Sequence, residues 1–232
     1  EEGVEIAVAS QVSPTGAVAA GKHGLSMLSI GATSTGGFNA LSANWKIAED
    51  TAAEFGNTMN RNNWRLVGPV HIAETREQAR ANVRYGIEAW LRYMSTVAAL
   101  PLAPPSGVDP IDYIIETGFG VIGTPDDFVA QMGRLSEQSG GFGTFLNLDN
   151  HWADWAQTKR SYELIGRFAI PKINRLNDSR HRSEEFLRDN HPKFRGEMDA
   201  AVRAKIEAYA REKGADTVSP AIAKAFGAKV EN

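Results

Sequence analysis

Four times along the chain a short apolar, β-branched run gives way to polar turn residues and then to a helical pattern. The runs are residues 4–9, 25–30, 64–72 and 143–148. The helical segments after them are 17–23, 40–55, 74–94 and 152–168, and in the third Ala79, Val83, Ile87, Trp90 and Leu91 recur at a spacing of three or four. Parallel strands need a crossover between them, and a helix is the usual one, so this alternation predicts an α/β fold with a parallel sheet.

Two stretches depart from the alternation. Residues 98–123 include "ALPLAPPSGVDP", and the prolines predict a long irregular connection, either a functional lid or a loose insertion. Beyond Pro171 the chain turns charged and helical, with "GEMDAAVRAKIEAYAREKG" as its clearest segment. This divides the chain into a main unit at 1–173 and a peripheral helical tail at 174–232. Neither an internal repeat nor a low-complexity block interrupts the pattern. The chain opens "EEG" and enters a strand at once, which reads as the back part of something longer.

Composition narrows the function classes. A 42% hydrophobic content over 232 residues supports a sizeable core. The net charge of −3 lacks the positive field that nucleic-acid binding needs. With no cysteine, disulfides, thiolate nucleophiles and cysteine-held metals are excluded. No apolar run reaches the roughly 20 residues of a membrane span, and no leader pattern opens the chain. The expectation is a cytoplasmic protein with no nucleic-acid or membrane partner.

Candidate chemistry begins at "SQVSPTG", where Ser10, Ser13, Thr15 and Gly16 fall between a strand end and a helix start. Unpaired N–H groups and the helix dipole suit a phosphate there. An ordinary Ser or Thr cap is the competing reading. "GFGVIG" at 118–123 matches a dinucleotide glycine pattern after the strand-like "YIIET". Thr124 and Pro125, however, look like the cap and first residue of a helix that starts after the glycines, which argues against nucleotide binding. His71 reads as a satisfied core residue within a strand. His151 follows "NLDN" at the end of the last strand, where parallel barrels place their sites, although Asp149 or Asn150 there is equally suited to capping a helix. No H-E-x-x-H or G-x-S-x-G pattern occurs, so neither a metal site nor an esterase-type serine is expected. Most of the five tryptophans read as packing residues.

The ordered series "EIAVASQVSPTGAVAAGKHGLSMLSIGATS", "WRLVGPVHIAETREQA", "GTPDDFVAQM" and "NHWADWAQTKRSYELIGRFAIP" resembles the second half of the bacterial-luciferase-like flavin monooxygenases, the limonene 1,2-monooxygenase branch being nearest in pattern. The resemblance runs from about residue 3 to 213. It implies a (β/α)8 TIM barrel of which this chain carries strands five to eight. It also implies an FMN-dependent monooxygenase acting with O2, through a flavin C4a-peroxide, on a small hydrophobic substrate such as a terpene or an aldehyde. A separate flavin reductase would supply reduced FMN, and the missing first half of the barrel and possible homo-oligomer contacts would be further partners. Carried over by position, the phosphate turn falls on residues 11–16, with Gln11, Ser13, Thr15 and Gly16 as cofactor contacts. Ser29 and Ile30 would lie beside the flavin ring. Some relatives have Trp at Ile30, and sulfonate-using relatives place a cation where this chain has Val67, Gly68 and Pro69, so an uncharged substrate is implied. No catalytic residue can be carried over. A non-catalytic flavoprotein of the same fold and a deazaflavin- or nicotinamide-dependent oxidoreductase are the alternatives. If the chain is half a barrel, the enzyme is the full-length protein and this piece alone is expected to be inactive, its open edge strands predicting self-association or partial unfolding when it is expressed alone.

Overall fold

The computed structural model describes residues 4–98 and 102–230. It divides into two compact units, Glu1–Asn174 and Arg175–Asn232.

In the first unit five strands make one parallel sheet. β1 (Ala7–Ser10) pairs with β2 (Ser26–Ser29), and β2 pairs with the start of β3 (Trp64–Ile72). β5 (Thr144–Leu148) pairs with Arg65 to Pro69 of β3, and β4 (Val121–Gly123) pairs with Val70 to Ile72. Pro69 has no N–H to extend the ladder. Beyond it, two N–H groups of β3 are taken by side chains: Val70 N–H donates to Asn147 Oδ1 at 3.1 Å and Ile72 N–H donates to Ser161 Oγ at 2.9 Å.

The crossovers are α1 (Thr15–His23), α2 (Thr35–Glu54) and α6 (Pro125–Ser139). Their apolar faces join Met27, Leu66, Val70 and Ile72 in one buried cluster. Trp45 stacks on Trp64 with centroids 4.7 Å apart, and Arg61 lies over the Trp45 ring at 4.7 Å. Trp64 Nε1–H donates to Ser29 Oγ at 3.0 Å, so this buried indole keeps a partner.

Between β3 and β4 lies an insertion of three helices, α3 (Arg76–Val83), α4 (Ile87–Thr96) and α5 (Pro110–Glu116). It builds a second apolar cluster around Ile87, Trp90, Ile111, Ile114 and Trp152. After β5 come α7 (Trp155–Leu164), a π-helical turn at Ile165–Ala169 and the short α8 (Ile170–Ile173).

The second unit contains the 36-residue α9 (Asp178–Lys213) and α10 (Pro220–Phe226). Arg188–Glu184 and Arg195–Asp199 pair four residues apart along α9, and Arg203 Nε donates to Phe226 O at 2.8 Å. No helix among the described residues is long and apolar enough to cross a membrane.

Three local expectations change. "YIIET" is helical, because Asp109 caps α5 through Ile111 N–H and Pro110 supplies its first turn. The segment 74–94 breaks into α3 and α4 around Gly86. The connection at 98–123 holds α5 and β4, and residues 99–101 of the expected lid lie outside the described residues.

Candidate functional site

The carboxyl ends of β1, β2 and β5 point to the same side of the sheet, as parallel pairing requires. After β1 the chain turns through residues 11–14 into α1. Asn44 of α2, itself buried, donates from Nδ2 to Gln11 O at 3.1 Å and holds the turn. Gly16 lets the helix lie on the strand: a Cβ there would sit 2.4 Å from Ala9 O.

The amino terminus of α1 is left open. Its cap position is Pro14, no side chain caps it, and its first turn has no acidic residue. The first intrahelical bond runs from Val18 N–H to Pro14 O (2.9 Å), so the N–H groups of Thr15, Gly16 and Ala17 lie ahead of the ladder. Ser13 and Thr15 are exposed with hydroxyls 3.4 Å apart, and neither acts as the expected cap. Ser10 is buried at the strand end, and its hydroxyl has no partner among the described residues.

Beside this turn opens a cleft of about 260 Å³. Gln11 and Val12 come from the first turn, Ile30 and Gly31 from the second, and Leu148 from the end of β5. The facing wall is the insertion, with Trp90, Met94, Leu102, Tyr113 and Phe119. None of the described lining residues is charged, which favours an uncharged, apolar guest. Ser34 caps α2 through Gly37 N–H at 3.3 Å, closing that helix terminus at the cleft edge.

The predicted site residues separate into three groups. Gln11 and Ile30 line the cleft, with Ile30 45% exposed. Ser13, Thr15 and Gly16 form the adjoining open helix terminus. Ser29 stands behind, buried, with its hydroxyl accepting from Trp64. Sequence patterning did not find Trp90, Met94, Leu102, Tyr113 and Phe119 as site residues. They reach the cleft only through the packing of the insertion.

The other candidates lie elsewhere. His71 is buried in β3, its Nε2 3.2 Å from Asn82 Nδ2, and burial pushes it down to about 4. The glycine run ends in β4, and the helix after it is closed by a capping box. Thr124 Oγ1 accepts from Asp127 N–H, while Asp127 Oδ2 accepts from Thr124 N–H at 2.8 Å. Arg76 forks onto Asp127 at 3.0 and 2.7 Å and holds its carboxyl down to about 2. Arg65 is paired with Glu5 at 2.8 Å, and Val67, Gly68 and Pro69 are buried without a cation of their own. Neither Asp149 nor Asn150 caps α7; Asp154 does.

No family model matches the chain. It is 46% identical over 171 residues to limonene 1,2-monooxygenase of Rhodococcus erythropolis, a span of 74% of this chain and 44% of that protein. It is 35% identical over 179 residues to 4-hydroxyprotoasukamycin monooxygenase of Streptomyces nodosus subsp. asukaensis, 74% of this chain and 47% of the relative. Among solved structures it is similar to the oxygenating constituent of 3,6-diketocamphane monooxygenase from Pseudomonas putida, a type II Baeyer-Villiger monooxygenase in complex with FMN. The TM-score is 0.54 at 26% identity, over 73% of this chain and 48% of that one. The chain spans about half the length of the curated relatives it matches.

Proposed function

We propose that this chain, a homologue of the luciferase-like flavin monooxygenases over about half their length, carries the FMN-phosphate turn and part of the substrate wall of such an enzyme. The observation that carries the reading is its 46% identity to limonene 1,2-monooxygenase across 171 residues. The substrate is a small uncharged hydrophobic compound, a terpene such as limonene or an aldehyde, and O2 is the co-substrate.

The residues present fit the cofactor. Thr15, Gly16 and Ala17 present unpaired N–H groups at the positive end of α1, with no carboxylate in the first turn to compete. The hydroxyls of Ser13 and Thr15 stand beside them as further donors, and the buried hydroxyl of Ser10 lacks a partner among the described residues. Gln11 and Ile30 border the apolar space next to this turn, where the flavin ring and an apolar substrate can share a dry environment. When bound, reduced FMN supplies the electrons that activate O2 for transfer of one oxygen atom. A separate reductase delivers it. The part of this chain is to bind, orient and exclude water: Trp90, Met94 and Phe119 cover the apolar side of the cleft. Burying a sulfonate or carboxylate against that wall without a cation is costly, which selects uncharged compounds.

Substrate-stimulated NADH consumption by the full-length protein with an added flavin reductase tests the reading. Limonene or a long-chain aldehyde should stimulate oxygenation, and an alkanesulfonate should not. FMN that binds without any substrate-dependent turnover would make the protein a flavin binder instead.

A further inference from the structure

The turn after β5 carries a second group of residues that the proposed reaction leaves unused. Asn150 is buried and ties the turn from within. Its Oδ1 accepts from Trp152 N–H at 3.1 Å, and its Nδ2 donates to the carbonyls of Val70 and Leu148 at 3.4 Å each. Gly86 closes the turn from outside: its N–H donates to Trp152 O at 2.9 Å, and a Cβ on it would lie 2.1 Å from His151 O. Trp152 packs edge-on against Trp90 with centroids 5.3 Å apart. Held between these anchors, His151 adopts φ 48°, in the left-handed region that few non-glycine residues enter.

The outcome is an imidazole that projects from a fixed backbone. Its side chain is 88% exposed, and Asp149 Oδ2 stands 3.8 Å from its Nε2. Both residues border a cleft of about 560 Å³ whose other walls include Tyr85, Trp90, Tyr93 and Met94. Trp90 and Met94 also line the smaller cleft beside the flavin turn, so the two spaces share a wall.

We propose that this second cleft is a binding subsite for a ring-shaped apolar molecule carrying one hydroxyl, and that His151 is the residue that selects the hydroxyl. The aromatic walls supply apolar area. A ring nitrogen of the His151 imidazole offers a lone pair that can accept from the ligand O–H. Because the turn is already fixed, little backbone order is lost on binding. The subsite rests on the reading that the protein handles small hydrophobic compounds, and it names a hydroxylated class among them.

Calorimetric titration with p-cresol and toluene, which differ by the hydroxyl, tests it. The protein should bind p-cresol about tenfold more tightly than toluene, the worth of one hydrogen bond. His151→Asn is the decisive variant, because Asn enters the left-handed region readily but is too short to reach the ligand. It should bring the two affinities together while thermal melting stays unchanged. The imidazole resonances of His151 should move with p-cresol and not with toluene. Equal affinities in the unmodified protein, or an undiminished preference in His151→Asn, would overturn the proposal. FMN titrated in parallel separates the failures: loss of the hydroxyl preference with FMN binding intact removes the subsite alone, whereas no binding of FMN removes the reading beneath it.

Discussion

The amino termini of α1 and α6 each follow the carboxyl end of a strand, and they are finished in opposite ways. At α6 every local device of closure is in place: the capping box, a proline in the first turn, and Asp126 and Asp127 on the positive end of the dipole. Arg76 then neutralises Asp127 from outside. At α1 the cap is a proline, no side chain takes up the leading N–H groups, and the first turn has no acid. An internally satisfied terminus holds its own helix in register. An open one, beside an uncharged cleft, leaves its donors and its dipole for a guest anion. The difference is why the proposed flavin phosphate is assigned to α1 and not to the glycine run ahead of α6.

The largest expected effect comes from closing α1 in the manner of α6. In the full-length protein, Ser13→Asp places a carboxylate among the leading N–H groups, satisfying them and repelling a phosphate. FMN affinity should fall about tenfold to a hundredfold, and further with repulsion, while riboflavin binding stays unchanged. Flavin fluorescence titrations with both ligands measure this; equal, unchanged affinities would make the α1 terminus an ordinary helix end.

Acid sharpens the comparison next, because groups with shifted protonation lie on the β3 and α6 side. His71 has a folded value of about 4, below the ordinary histidine value of 6.5. The unfolded chain therefore takes up the proton first, and this contribution to stability is whole above 6.5 and lost as pH falls from there through 4. At pH 5 the loss should be about 2 kcal/mol. Urea denaturation at pH 8, 6.5 and 5 gives the slope, and His71→Gln should flatten it. Asp127, held at about 2, adds a second loss that begins below 3.8 and is complete only as pH falls through 2.

The smallest effect comes from opening α6. Thr124→Ala removes the cap hydroxyl and should cost about 1 kcal/mol of stability, read by denaturant titration, with FMN affinity unchanged. A drop in FMN affinity at equal stability would erase the contrast between the two termini.

Much of the fold was legible because its strands are long or well bounded. β3 reads directly from a mostly apolar nine-residue run, and the start of α6 from Thr124 and Pro125. β4 was not legible: three residues are too few to show a period, and two glycines just ahead suggest a loop. "YIIET" is short enough to suit either strand or helix, and Asp109 with Pro110 was the signal that decides it. At the site, Gln11 and Ile30 follow from strand ends. Tyr113 and Phe119 reach the same cleft only because the insertion folds back, a tertiary fact with no local pattern. The open cap at α1 was ambiguous for another reason: Ser13 and Thr15 are good capping residues, and Pro14 takes the position between them.

The pairing of Val70 to Ile72 with Val121 to Gly123 has a consequence of evolutionary kind. Ile72 and Gly123 are ladder neighbours, which places their backbones about 5 Å apart. The insertion leaves the sheet after Ile72 and re-enters it at Val121, the ladder neighbour of Val70, like a cartridge seated in a single socket. Under the proposed function, a longer, shorter or different cartridge would change the shape of the compound admitted while the turn between β1 and α1 stays where it is. On that reading, choice of substrate and binding of cofactor are separable traits, carried by different stretches of the same chain.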